Sequence, residues 1–237
     1  MTELLDPLYR NLVAAIATVL YVKAVIFLSD LAVDRSLLSS KLTRKIIHVA
    51  AGSWLLFWPA FTDKHPTWRL NILVPAVYTI QLFFKAVILN DPNDTDVKTM
   101  SRTGSPKDLL FGPIHFTLVM SMVGLKYFRK EEAIFVMGCL GYGDGIAPLV
   151  GSYFPYGKYP TFPFGLNDKK TLSGSLGFFV ASIVGYYCLR GVATETTADF
   201  QDVVKVAATC TIAEGITGKW DNIAVVLTAL ATLKYMM

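Results

Sequence analysis

Within an apolar run, FVMGCLGYGDGIAPLVG at residues 135–151, one ionisable side chain, Asp144, stands among glycines. A carboxylate inside an apolar span is costly unless it faces a partner, a cavity or a cation, so it marks a place where chemistry is expected. Gly141, Gly143 and Gly145 remove side-chain bulk around it, which lets phosphates or a metal ion approach the carboxylate. Close helix packing through small residues accounts for the glycines but not for the charge. Two further acids have similar surroundings in AEGITGKWDNIAV: Glu214 lies inside an apolar run, and Asp221, followed by Asn222, opens the next one. Mg²⁺ is commonly held by one or two carboxylates plus substrate phosphates, so Asp144, Glu214, Asp221 and Asn222 form the candidate metal set. Capping a helix is the alternative use of Asp221.

A phosphate-bearing substrate also needs cations and unpaired backbone N–H groups. NDKKTLSGSLG at 167–177 offers both: Lys169 and Lys170 precede Thr171, Ser173 and Gly174 at the expected start of a helix, whose N-terminus carries partial positive charge. A basic flank ahead of a Gly174/Ser175/Gly177 packing stripe is the plainer reading of the same residues. SRTGSPKDLLFGP at 101–113 adds Arg102 and Lys107, which can hold a polyanion, with Ser105 or Asp108 as helix caps. In LTRKIIHVAAG, Arg44 and His48 are four residues apart and share a helical face, where interfacial anchoring and packing are the competing roles. Asp144 and His48 are the candidates for a general base, and Lys170 for neutralising developing charge. GxxxxGK[ST] is absent, as is GxGxxG ahead of a helix, so any nucleotide site has to be built from helix ends.

The elements that position these residues are membrane helices. Of 237 residues, 53% are hydrophobic and only 17% charged, and the mean hydropathy is +0.46, far more apolar than a soluble domain. Apolar stretches long enough to cross a bilayer fall at about 10–30, 46–62, 69–89, 109–128, 132–151, 171–190, 202–218 and 222–237. The expected fold is therefore all-α, a polytopic integral membrane bundle of about eight transmembrane helices in one domain spanning 1–237, with seven crossings as the alternative. Loop cations divide almost evenly between the two faces and lean toward placing the connections after spans 1, 3, 5 and 7 inside. The net charge of +4 is small and dispersed, which argues against a nucleic-acid partner. Cys139, Cys188 and Cys210 lie in apolar runs without CxxC spacing and are read as inert thiols. The segment MTELLDPLYR lacks the basic start and apolar core of a signal peptide.

The stretches RKIIHVAAG, SRTGSPKDLLFGPIHF, GYGDGIAPLVG, KKTLSGSLGFF and AEGITGKWDNIAV, in this order, resemble the polyprenol kinase family, the membrane-bound phytol, farnesol and dolichol kinases. SRTG through LLFGP most resembles the phytol and farnesol kinase branch. The resemblance implies phosphoryl transfer from CTP, or another nucleoside triphosphate, to the hydroxyl of an isoprenoid alcohol in a lipid bilayer. It matches Asp144 to the family's GDG aspartate, Lys169 and Lys170 to its basic stretch, and Glu214, Asp221 and Asn222 to its terminal acidic motif. Two departures stand out: IAPLVG where the family commonly continues GDG with another acid, and Trp220 where it often has a second aspartate. KKTLSGS is also similar to a motif of CDP-diacylglycerol synthases, so cytidylyl transfer is a rival, as is a transporter whose buried acids bind a coupling ion. The expected compartment is the endoplasmic reticulum or plastid envelope in a eukaryote and the cell membrane otherwise.

Overall fold

The computed structural model describes residues 2–101, 103–161, 165–218 and 220–236, without the side chains of 2–5 and 165–169. The chain divides into two compact units, Met1–Arg129 and Lys130–Met237. Nearly all of it is helical, and among the described residues five helices are long and apolar enough to cross a membrane: Asp6–Asp34, Pro66–Leu89, Asp108–Lys126, Glu131–Tyr153 and Leu172–Val192. It is a helical membrane protein.

In the first unit α1 (Thr2–Asp34) packs against α2 (Ser40–Gly52), with the Tyr21 hydroxyl donating to the Ala50 carbonyl at 3.0 Å. Sequence reading expects one spanning helix over 46–62. Instead α2 stops at Gly52 and SWLLFWPA continues as a 3-10 segment, Ser53–Ala60, because Pro59 removes a helical donor. Fully buried Asn11 of α1 straps the chain beyond it, donating to the Thr62 carbonyl and accepting from the Thr62 N–H at 2.7 Å. Pro66 then begins a second 3-10 stretch, Pro66–Ile72, capped by His65 and running into α3 (Leu73–Phe84) and a π-helical turn, Lys85–Leu89. Short α4 (Thr95–Met100) and α5 (Asp108–Phe111) lead to α6 (Pro113–Lys126), which packs on α3.

The second unit is organised around α7 (Glu131–Met137), a π-helical turn (Gly138–Gly143) and α8 (Asp144–Tyr153), together the most buried of the five long helices. Against it packs α9 (Leu172–Leu189), followed by α10 (Phe200–Ile216) and α11 (Asp221–Met236). The approach of α9 depends on Gly138, where a Cβ would lie 3.0 Å from the Tyr186 backbone nitrogen. The polar stretch between α8 and α9, expected to be a loop, holds the small departure from an all-α fold. Here β1 (Lys158–Thr161) pairs antiparallel with β2 (Gly165–Thr171), placing Tyr159 opposite Lys170.

Candidate active site

Four elements of the second unit bring the site together. Asp144 is the first residue of α8, directly after the π-helical turn, a distortion that often marks functional positions. A Cβ on the preceding Gly143 would fall 3.0 Å from the Phe178 ring, so glycine lets this turn settle onto α9. Pro148 lacks the N–H that an α-helix would direct to the Asp144 carbonyl, which loosens the same turn. Glu214 sits in the last turn of α10 and Asp221 in the first turn of α11, the two helices joined by a short connection that folds them against each other. The three carboxylates are buried, and one oxygen from each lies within 4.8 Å of the other two.

Lys170, at the end of β2, reaches into this group. Its Nζ is 2.5 Å from Glu214 Oε1 and 3.8 Å from Asp221 Oδ2, and it also donates to the Glu214 backbone carbonyl. That carbonyl belongs to the last turn of α10, where helix carbonyls lack intrahelical donors, so the lysine both pairs a buried carboxylate and caps a helix end. Asn222 stands beside Asp221, its backbone N–H donating to Asp221 Oδ1 at 2.9 Å. Six oxygens around Mg²⁺ at 2.0–2.1 Å are separated by about 3 Å when adjacent and about 4.2 Å when opposite. Carboxylate oxygens within 4.8 Å of one another can close on such an ion by side-chain movement, and an all-oxygen donor set suits a hard cation.

Thr171, Ser173 and Gly174, expected to cradle phosphate, form the cap of α9. The Gly174 N–H donates to Thr171 Oγ1 at 3.0 Å, the Leu172 N–H to the Gly157 carbonyl at 3.0 Å, and the Ser173 hydroxyl to the Phe154 carbonyl. The first donors of α9 are therefore spent on the hairpin stem, and a phosphate there would have to displace these bonds. Lys169 pairs with Pro160 through the backbone, while its side chain and all of Arg102 lie outside the described residues. His48 and Lys107 belong to the first unit: the His48 ring stacks on Phe116 at 4.0 Å, and Lys107 is exposed just before α5. In the same loop Asp108 accepts from the Thr103 N–H at 2.7 Å, and Arg44 donates to the Ser101 carbonyl at 3.0 Å.

Sequence reasoning missed Tyr159, whose hydroxyl is 2.5 Å from Ser175 Oγ and packs against Gly215, next to Glu214. Nothing in KYPT signals this, because the contact depends on the hairpin. It also missed a polar cluster in the first unit, where Lys85 Nζ pairs with Asp96 at 2.6 Å and with Asp94 at 3.0 Å. A lysine inside an apolar stretch was the available signal.

Comparison with known proteins points to the same family as the sequence motifs. The chain is 29% identical over 214 residues to "Probable phytol kinase 2, chloroplastic" of Oryza sativa subsp. japonica, covering 86% of this chain and 68% of that protein. It is 27% identical to "Phytol kinase 1, chloroplastic" of Arabidopsis thaliana, covering 83% and 66%. It is 30% identical over 159 residues to "Farnesol kinase, chloroplastic" of the same plant, covering 65% of this chain and half of that protein. In sequence this chain is similar to members of the polyprenol kinase family. The matched region spans between half and about two thirds of these family members, so each is longer than the part that aligns. No family model and no solved structure matches the chain.

Proposed function

We propose that this protein is a membrane kinase that transfers the terminal phosphoryl group of CTP to the hydroxyl of an isoprenoid alcohol such as phytol, geranylgeraniol or farnesol. The names of its relatives supply the acceptor class. The observation that carries the phosphoryl-transfer reading is the buried gathering of Asp144, Glu214 and Asp221, with Lys170 against the last two. Phosphoryl transfer asks the protein mainly for positioning and charge neutralisation.

Asp144, Glu214 and Asp221 would hold Mg²⁺, which supplies neutralisation of phosphate charge when bound. Lys170 stabilises the charge that builds on the transferred group, with Lys169 as a further candidate for the triphosphate. The alcohol oxygen forms a bond to the γ-phosphorus as the bond to the β,γ-bridging oxygen breaks. CDP leaves, and the alcohol proton passes to Asp144, which has a second oxygen beyond the one it offers to a cation. The prenyl tail lies along the exposed apolar helix faces, within the bilayer. We place the protein in a membrane with about eight crossings, α2 with the 3-10 segment after it, α10 and α11 completing the five long helices; the relatives are named chloroplastic, and the plastid envelope is the compartment we infer.

The test uses purified protein, γ-labelled CTP and a panel of phytol, geranylgeraniol, farnesol and dolichol. Label appearing in a lipid phosphate with release of CDP is expected, and Asp144→Asn should lower the rate by at least about a hundredfold. Pyrophosphate release would instead identify a cytidylyltransferase, and an Asp144→Asn protein of full activity would remove the proposed site.

A further inference from the structure

The Lys170 ammonium stands against two of the three carboxylates that could hold a cation. It lies within 4 Å of two of the three, at 2.5 Å from Glu214 Oε1 and 3.8 Å from Asp221 Oδ2, and it adds a bond to the Glu214 carbonyl at the α10 terminus. Three buried carboxylates facing one another repel, and the Lys170 ammonium offsets part of that repulsion. A divalent ion at about 2.1 Å from Glu214 Oε1 could not be more than about 4.6 Å from an ammonium at 2.5 Å from that same oxygen. Two cations that close in a buried setting disfavour each other. Lys170 sits at the end of β2 on a long flexible side chain, so it has another position available.

Resting on the kinase reading, we propose that Lys170 is an exchangeable counter-ion: it neutralises the carboxylates while the site is empty and withdraws to the triphosphate when a divalent cation enters with the nucleotide. Its ammonium passes from the Glu214 carboxylate and carbonyl and the nearby Asp221 to phosphate oxygens. The binding consequence has opposite signs in the two states. Without nucleotide, Lys170 competes with the metal; with nucleotide, it favours the metal–triphosphate complex.

The measurement is Mn²⁺ binding to full-length protein in micelles by electron paramagnetic resonance, with and without a β,γ-methylene analogue of CTP. Lys170→Met should bind Mn²⁺ alone at least about tenfold more tightly than the wild type, since a nearby positive charge has been removed. With the analogue present, it should bind at least about tenfold more weakly, since a phosphate partner is gone. Equal or weaker binding of Mn²⁺ alone by the variant would overturn the exchange. Should Lys170→Met fail to fold, the wild type carries the same test: acylation of Lys170 by an amine-reactive reagent, read by peptide mass spectrometry, should rise several-fold when Mg²⁺ is added. No rise would likewise overturn it. A wild type that phosphorylates the alcohol while Lys170 fails these tests leaves the kinase standing and the exchange refuted. A wild type that neither binds Mn²⁺ nor phosphorylates removes both.

Discussion

Glu131, the first residue of α7, accepts four hydrogen bonds: from the Tyr186 hydroxyl at 2.5 Å, the Thr197 N–H at 2.9 Å, the Thr197 hydroxyl at 3.2 Å and the Ala198 N–H at 3.2 Å. One carboxylate thus ties α7 to α9 and to the segment that leads into α10. In Glu131→Ala the hydroxyl of Tyr186, a residue only 1% exposed, loses its acceptor, a cost of about 1–3 kcal/mol. The Thr197 donors are exposed and turn to water, so they and the Ala198 N–H add only about 1 kcal/mol together. The whole change should cost about 3 kcal/mol. Glu131→Gln keeps one acceptor oxygen but sets an amide N–H₂ against donors on the other side, for about 1–2 kcal/mol. Tyr186→Phe leaves the carboxylate its three other donors and should cost about 1 kcal/mol. Unfolding in mixed micelles with rising dodecyl sulfate, followed by circular dichroism, ranks the three variants. Because Glu131 is thirteen residues from Asp144, about 20 Å along a helix, activity of the folded fraction should stay near wild type. A Glu131→Ala protein as stable as the wild type, or a Tyr186→Phe protein less stable than Glu131→Ala, would refute the reasoning.

Loss of the Asp144 carboxylate should abolish alcohol-dependent CTP consumption while the helical circular dichroism signal persists. Removal of the Lys170 charge should tighten Mn²⁺ binding alone and weaken it with the nucleotide analogue, a reversal that a purely structural lysine would not produce. Gly138→Ala should destabilise the second unit by about 1–3 kcal/mol, because the added methyl meets the α9 backbone and not a movable side-chain tip; thermal unfolding reads this directly. In the first unit, Asn71→Ala removes donors to the Trp68 carbonyl at 3.0 Å and the Gly124 carbonyl at 3.2 Å from a residue 1% exposed. A loss of about 2 kcal/mol is expected in the same unfolding experiment.

The sequence alone determined that this is a helical membrane protein, because twenty-residue apolar runs have few other places to go. It also singled out two acids. Asp144 and Glu214 are conspicuous in apolar runs for the same energetic reason that makes a buried charge need a partner. Their partner was a different matter. Only the tertiary structure put Lys170 between Glu214 and Asp221, since that contact joins residues 44 and more apart through a hairpin whose polar sequence reads as an ordinary loop. The same hairpin decided that Thr171 and Ser173 cap α9, and that Tyr159 lies beside Gly215. Local residue types could not choose between capping and phosphate binding, because both uses call for the same hydroxyls and N–H groups. Broken elements were also a tertiary outcome: 46–62 is apolar apart from His48, Ser53 and Thr62, but Gly52 and Pro59 divide it. Hydrophobicity fixes which residues leave water, whereas which buried charges meet depends on helix ends brought together from distant parts of the chain.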